Sequence, residues 1–284
     1  LRRSWRRFGW ILVGLLALMR VVTARDVALD IILAIGIGGT VGCALLLLFG
    51  RRVELPTPVA VLAALDRVGL HAVDVVRAPF RSTASLPFRA TLADGAQLHC
   101  KVLAAGQNEA DGLLRTYRRV RMRELGEDVA FSTVRRAAAV ESMLAMAAER
   151  AQVRTPAVRG LAPLGDGDAM VIAFDRVLGL PLDRVPAERI TDDVLDQAWR
   201  AVAAMRRVGL AHRDLLLSSW MLDEAGALWL IDFSFGEPAA SDGALSVDVA
   251  ELLAATYGVV GAARAVAAAV RGIGAPALAS GLSH

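Results

Sequence analysis

Residues 27–50, VALDIILAIGIGGTVGCALLLLFG, contain a single charge, Asp30, and outrun the roughly 20 residues that a helix needs to cross a bilayer. Residues 8–24, FGWILVGLLALMRVVTA, form a second apolar run broken only by Arg20, at the lower limit of a spanning length. Gly36, Gly38, Gly39 and Gly42 are the small residues that let membrane helices approach closely. The alternative is a buried helix pair in a soluble core. A cleaved signal peptide is disfavoured, because no small-x-small cleavage site follows the first run. The expectation is a membrane hairpin over residues 1–52, embedded in the lipid bilayer.

Arginine placement orients that hairpin. Arg2, Arg3, Arg6 and Arg7 precede the first run, and Arg51 and Arg52 follow the second. Positive residues favour the cytoplasmic side. Both ends satisfy this with a short outer turn at Ala24, Arg25 and Asp26. The reading is therefore an inner-membrane protein whose remaining chain is cytosolic.

Composition narrows the function classes. The chain has 284 residues, is 55% hydrophobic and carries a net charge of only +3, so nothing points to nucleic acid. Cys43 and Cys100 are the two cysteines, one inside an apolar run, which argues against a disulfide framework. His71, His99, His212 and His284 have no metal-ligand spacing. The first residue is Leu, which points to a start further upstream. Of 32 basic residues, Lys101 is the only lysine. A compact ammonium does work that a planar guanidinium does not, so this lysine is a candidate for chemistry.

Local patterns divide the rest. Thr57, Pro58 and Gly69 punctuate a juxtamembrane linker helix within residues 53–71. FRATLADGAQLHCKVL reads as a hairpin around Asp94 and Gly95, and STVRRAAAVESMLAMAAERAQ as a helix. AMVIAFDRVLGLPL is a buried strand leading into a turn. TDDVLDQAWRAVAAMRRVGL is a helix capped by Thr191 and ended by Gly209. WMLDEAGALWLID is a second hairpin, and the tail from Val247 is helical. No P-loop, GxSxG or zinc pattern is present.

The chemistry-bearing residues are His212-Arg213-Asp214 and Asp232. The second aspartate comes 18 positions after the first (232 − 214), with a hairpin between. The order is hairpin with lysine, helix with glutamate, strand, helix, His-Arg-Asp loop, hairpin, Asp-Phe. Over about residues 72–257 this resembles the protein-kinase-like superfamily, in its aminoglycoside-phosphotransferase-like branch. RRAAAVESML, RTP, HRDLLLSS and IDFSF resemble the kinase-like domain of bacterial lysylphosphatidylglycerol-synthase-like membrane proteins.

The resemblance implies an α+β, bilobal fold, with an N-lobe at 72–175 and a C-lobe at 176–284, either whole or truncated. It implies ATP and Mg²⁺ as cofactors. Lys101 takes the place of the lysine that holds the nucleotide phosphates, and Glu141 that of the helix glutamate orienting it, with Glu149 as competitor. An insert over about residues 104–136 then separates strand and helix. His212, Arg213 and Asp214 match the catalytic-loop triplet, with Asp214 accepting the substrate hydroxyl proton. Asp232 takes the metal position. Asp248 matches the aspartate that braces the catalytic loop, or is a helix N-cap.

Three positions depart from the family. Ser219 stands where the family places an asparagine that ligates a second metal; its hydroxyl is a neutral, shorter candidate for the cofactor and the metal. Ser234 stands where the Asp-Phe-Gly motif has glycine, and a side chain there restricts the positive-φ backbone that glycine allows. The stretch RAPFRSTASLPFRA, where a phosphate-covering loop belongs, has no glycine. Two functions therefore stand side by side. One is a membrane-tethered kinase acting on a small-molecule or lipid hydroxyl, with a lipid or envelope precursor suggested by proximity to the bilayer. The other is a pseudokinase serving as a regulatory or binding module, including for a downstream membrane domain.

Overall fold

The computed structural model describes residues 19, 33–34, 36–42, 56–78, 85–104, 134–165 and 169–282. Its chain divides into two compact units, Leu1–Val53 and Glu54–His284. In the first, residues 33–34 and 36–42 are helical. Most of both apolar runs and all of the flanking arginines Arg2, Arg3, Arg6, Arg7, Arg51 and Arg52 lie outside the described residues. So do the segment 105–133, expected as an insert, and residues 79–84 of the glycine-free loop.

The second unit is α+β. Its first part is a five-stranded sheet of order β1-β2-β3-β5-β4, formed by β1 (Ala72–Arg77), β2 (Leu86–Leu92), β3 (Gln97–Ala104), β4 (Val158–Leu164) and β5 (Ala169–Asp175). Every pairing in it is antiparallel. The β2–β3 hairpin turns at Asp94 and Gly95 as its sequence predicts. Gly95 takes φ 85°, and the Asp94 carboxylate accepts the Ala96 N–H.

Strand alternation gives the sheet two apolar faces. Leu98, Cys100 and Val102 of β3 join one core with Val61, Ala64 and Leu65 of α1 (Pro58–Asp66). Thr57 caps α1 and Pro58 opens it, as the sequence indicates. However, α1 is a packed layer of the sheet rather than a free linker: Val61, Ala64 and Leu65 are at most 1% exposed. On the opposite face, Leu103, Met170 and Ile172 pack on Ala138 of α2 (Val134–Arg150).

The second part is mainly helical. It contains α3 (Asp192–Arg207), α4 (Asp242–Val260), α5 (Ala262–Ile273), α6 (Ala275–Leu282), and the small sheet of β6 (Gly179–Pro181), β7 (Trp220–Asp223) and β8 (Leu228–Leu230). Thr191 caps α3 through the Val194 N–H. The largest core centres on Trp199 and Met205 of α3, Trp220, Leu230, Phe233 and Val249. The tail helix starts earlier than its sequence suggested, at Asp242, where Ser241 caps it through the Ala244 N–H. Among the described residues α4 is the one helix long and apolar enough to cross a membrane by itself; half of its apolar window is buried. α5 and α6 together are apolar enough, but bend by 119° at the break between them.

Candidate functional site

The site is assembled from three segments far apart in sequence: β3, α2 and the loop after β8. Lys101 faces the α2 side of the sheet, opposite Cys100 and Val102, because strand neighbours alternate. On α2, Glu141 lies one helical turn beyond Ala138 and shares its buried face. The Lys101 Nζ donates to Glu141 Oε1 at 2.7 Å, to Asp232 Oδ1 at 2.6 Å and to the Ser234 hydroxyl at 3.0 Å. Lys101 and Glu141 are 6% and 3% exposed. Glu149, the competing glutamate, lies on the exposed side of α2.

Burial disfavours the Lys101 charge, yet the neighbouring Asp232 and Glu141 carboxylates more than compensate and hold its pKa above the usual lysine value. For Asp232, burial pushes the carboxyl up, and Lys101 with Ser234 pulls it well below the carboxylate range. The Asp232 side chain remains 42% exposed. Gly236 runs against Leu144 of α2, where a Cβ would come within 2.8 Å; this close approach keeps the loop beside Glu141.

The loop between α3 and β7 is held by α4. Asp248 accepts the backbone N–H of His212 and of Arg213, each at 2.6 Å, and Glu251 accepts that of Leu215 at 3.0 Å. Burial pushes the Asp248 carboxyl up to about 7, against the pull of those N–H donors. Of the two readings of Asp248, the brace holds and the N-cap does not, since Ser241 fills that role. Glu251 was not singled out in the sequence; its signal was the i, i+3 spacing from Asp248 on one helix face.

Within the His-Arg-Asp triplet the roles separate. His212 is fully buried. Its Nε2 pairs with the Ile231 carbonyl at 3.1 Å, and its ring meets Phe233 edge-on at 4.9 Å. Burial lowers its pKa. Arg213 donates to Glu237 Oε2 at 2.8 Å. Both thus hold their loop: His212 through Nε2, with its Nδ1 buried and without a hydrogen-bond partner among the described residues, and Arg213 through Glu237. Arg213 and Asp214 are both partly exposed. His212 ties its loop to the one bearing Asp232, through Ile231 and Phe233.

Both serines use their hydroxyls within the protein. The Ser219 hydroxyl donates to the Asp214 carbonyl at 2.7 Å, and the residue is 4% exposed. It tightens the turn Leu217–Ser219, leaving only oxygen lone pairs for any ligand. In this turn the positive φ falls on Asp232, at 67°. Ser234 thus carries no backbone strain of that kind; its side chain acts through hydrogen bonds to Lys101 and Asp232.

Among the described residues no cluster of three or more His, Cys, Asp or Glu side chains is placed to hold a metal. The donor set is one half-exposed carboxylate, Asp232, plus the lone pairs of Ser219. That set suits a Mg²⁺ carried mainly by phosphate oxygens and water, rather than one caged by protein. No protein-family model matches the chain, and no curated protein matches it.

Proposed function

We propose that residues 72–284 form a kinase-like, two-lobed domain whose site binds the phosphates of a nucleotide, and that the apolar runs anchor it to the inner membrane with this domain in the cytosol. The observation that carries the reading is the buried Lys101–Glu141 pair meeting Asp232. A sole lysine, a helix glutamate and an aspartate from a distant loop converge, beside a braced loop that presents Asp214. In this reading Lys101 binds phosphate oxygens and Glu141 orients Lys101. Mg²⁺ bound with ATP would neutralise charge on the phosphate oxygens, and Asp232 with Ser219 would hold it. Asp214 would accept the proton of a hydroxyl on a small-molecule or lipid acceptor.

A second reading has a specific observation in its favour. All three Lys101 protons are already taken by protein acceptors, and the Ser219 proton is spent on the Asp214 carbonyl. A domain so arranged suits a pseudokinase that regulates or binds a membrane partner.

ATP binding by the full chain, with and without Mg²⁺, tests the first reading. Binding by the wild type that is lost in Lys101→Ala and loses its Mg²⁺ dependence in Asp232→Ala supports a nucleotide site; phosphate transfer that then fails in Asp214→Asn supports the kinase. Binding without transfer supports the pseudokinase. No binding by the wild type removes the nucleotide from both readings.

A further inference from the structure

We propose that Ser234 is a positioning residue that latches Lys101 onto Asp232, so that the site is closed on itself and a ligand must replace the hydroxyl's contacts to enter. The roles assigned to the two latched side chains rest on the reading above; the latch itself rests on geometry.

A lysine ammonium has three N–H donors and no acceptor. In Lys101 all three are used, on Glu141, Asp232 and the Ser234 hydroxyl. A serine hydroxyl can accept and donate at once. That of Ser234 accepts from Lys101 and donates to Asp232 Oδ1, the same oxygen that Lys101 contacts. The Ser234 backbone N–H reaches this oxygen too, at 3.3 Å. The three groups therefore form a closed ring of hydrogen bonds. Glycine at this position would keep the backbone N–H and lose both hydroxyl contacts. Alanine would lose the same two contacts and add no freedom to the backbone.

The ring has further support. Asp232 sits at φ 67°, a conformation that an L-residue keeps only when its surroundings hold it. Phe233, between the two latched residues, is 3% exposed and fixed edge-on against His212. The turn is thus anchored at its centre, and Ser234 directs which way the Asp232 carboxylate faces. With the latch closed, the Asp232 Oδ1 and the Lys101 ammonium face each other rather than a ligand.

Lys101 being the only lysine makes the latch directly readable. The full chain in detergent is treated with acetyl N-hydroxysuccinimide, and acetylation at Lys101 is followed by peptide mass spectrometry, apart from the terminal amine. Releasing one contact to a charged group corresponds to about tenfold, so Ser234→Ala should acetylate about tenfold faster than wild type, and Ser234→Thr, which restores the hydroxyl, at the wild-type rate. An unchanged rate in Ser234→Ala, or an equal acceleration in Ser234→Thr, overturns the latch. ATP affinity measured on the same variants separates this from the functional reading. Faster acetylation without ATP binding in any variant leaves the latch standing and removes the nucleotide. ATP binding with acetylation unchanged does the reverse.

Discussion

Asp248 accepts the backbone N–H of Arg213 at 2.6 Å, at a residue whose φ is 62°. The left-handed backbone immediately before Asp214 is therefore held by a carboxylate from α4. The same carboxylate takes the His212 N–H, so one buried side chain sets two consecutive peptide groups. Removing it by Asp248→Ala should destabilise the domain by about 2 kcal/mol or more, since it leaves two peptide N–H groups without their acceptor and each such loss costs roughly 1–3 kcal/mol. Glu251→Ala, which loses one contact, should cost about half as much. Thermal unfolding of both variants checks the order; equal effects would show that the brace is not shared as the distances indicate.

The Lys101–Glu141 pair makes a different prediction. Lys101→Met leaves Glu141 buried without its cation, and breaking a buried pair from one side costs about 3–5 kcal/mol. Adding Glu141→Leu removes the stranded charge and should recover most of that loss, because an apolar pair of similar volume is often as stable. A double-mutant cycle in chemical denaturation measures this. Additive losses would mean that the two side chains do not couple.

Stability should depend on pH at both ends. The Asp232 carboxyl is held below its usual range in the folded state. The stability it adds is present above about pH 4 and is lost as pH falls further. The Lys101 ammonium is held above its usual value, so its contribution is present below about pH 10 and is lost as pH rises beyond. Asp232→Asn should flatten the acid limb of the curve. Because Asp232 is 42% exposed, solvent screens the effect, and its direction is what the unfolding curve tests.

Two glycines should respond in opposite ways. A Cβ at Gly272 of α5 would come 2.3 Å from the Trp199 Cβ of α3. Gly272→Ala should therefore destabilise by about 1–3 kcal/mol through overpacking. Gly258, on the exposed side of α4, has nothing within 4 Å of such a Cβ. Gly258→Ala should stabilise by about 0.5 kcal/mol, as helix propensity favours alanine. Melting temperatures of the two variants should move apart.

The sequence by itself determined the local elements. The Asp94-Gly95 turn, the Thr57 and Thr191 caps and the periodicities of α2 and α3 act within a few residues, so their signals lie side by side in the chain. Lys101 stood out as a sole lysine, and His212-Arg213-Asp214 with Asp232 as a spaced set. What each of these residues does was decided by tertiary structure. Glu141 over Glu149, Asp248 as brace rather than cap, and Glu251 as its companion all depend on which helix face meets which loop. That outcome is fixed by packing of the whole core. His212 and Arg213, expected as catalytic, hold their loop through the Ile231 carbonyl and Glu237, contacts that no local pattern states. Ser234 is the clearest case. Its sequence neighbours suggested a backbone restriction, yet its role is set by a lysine 133 positions away, brought to it by β3 because burying an ammonium requires acceptors on every side.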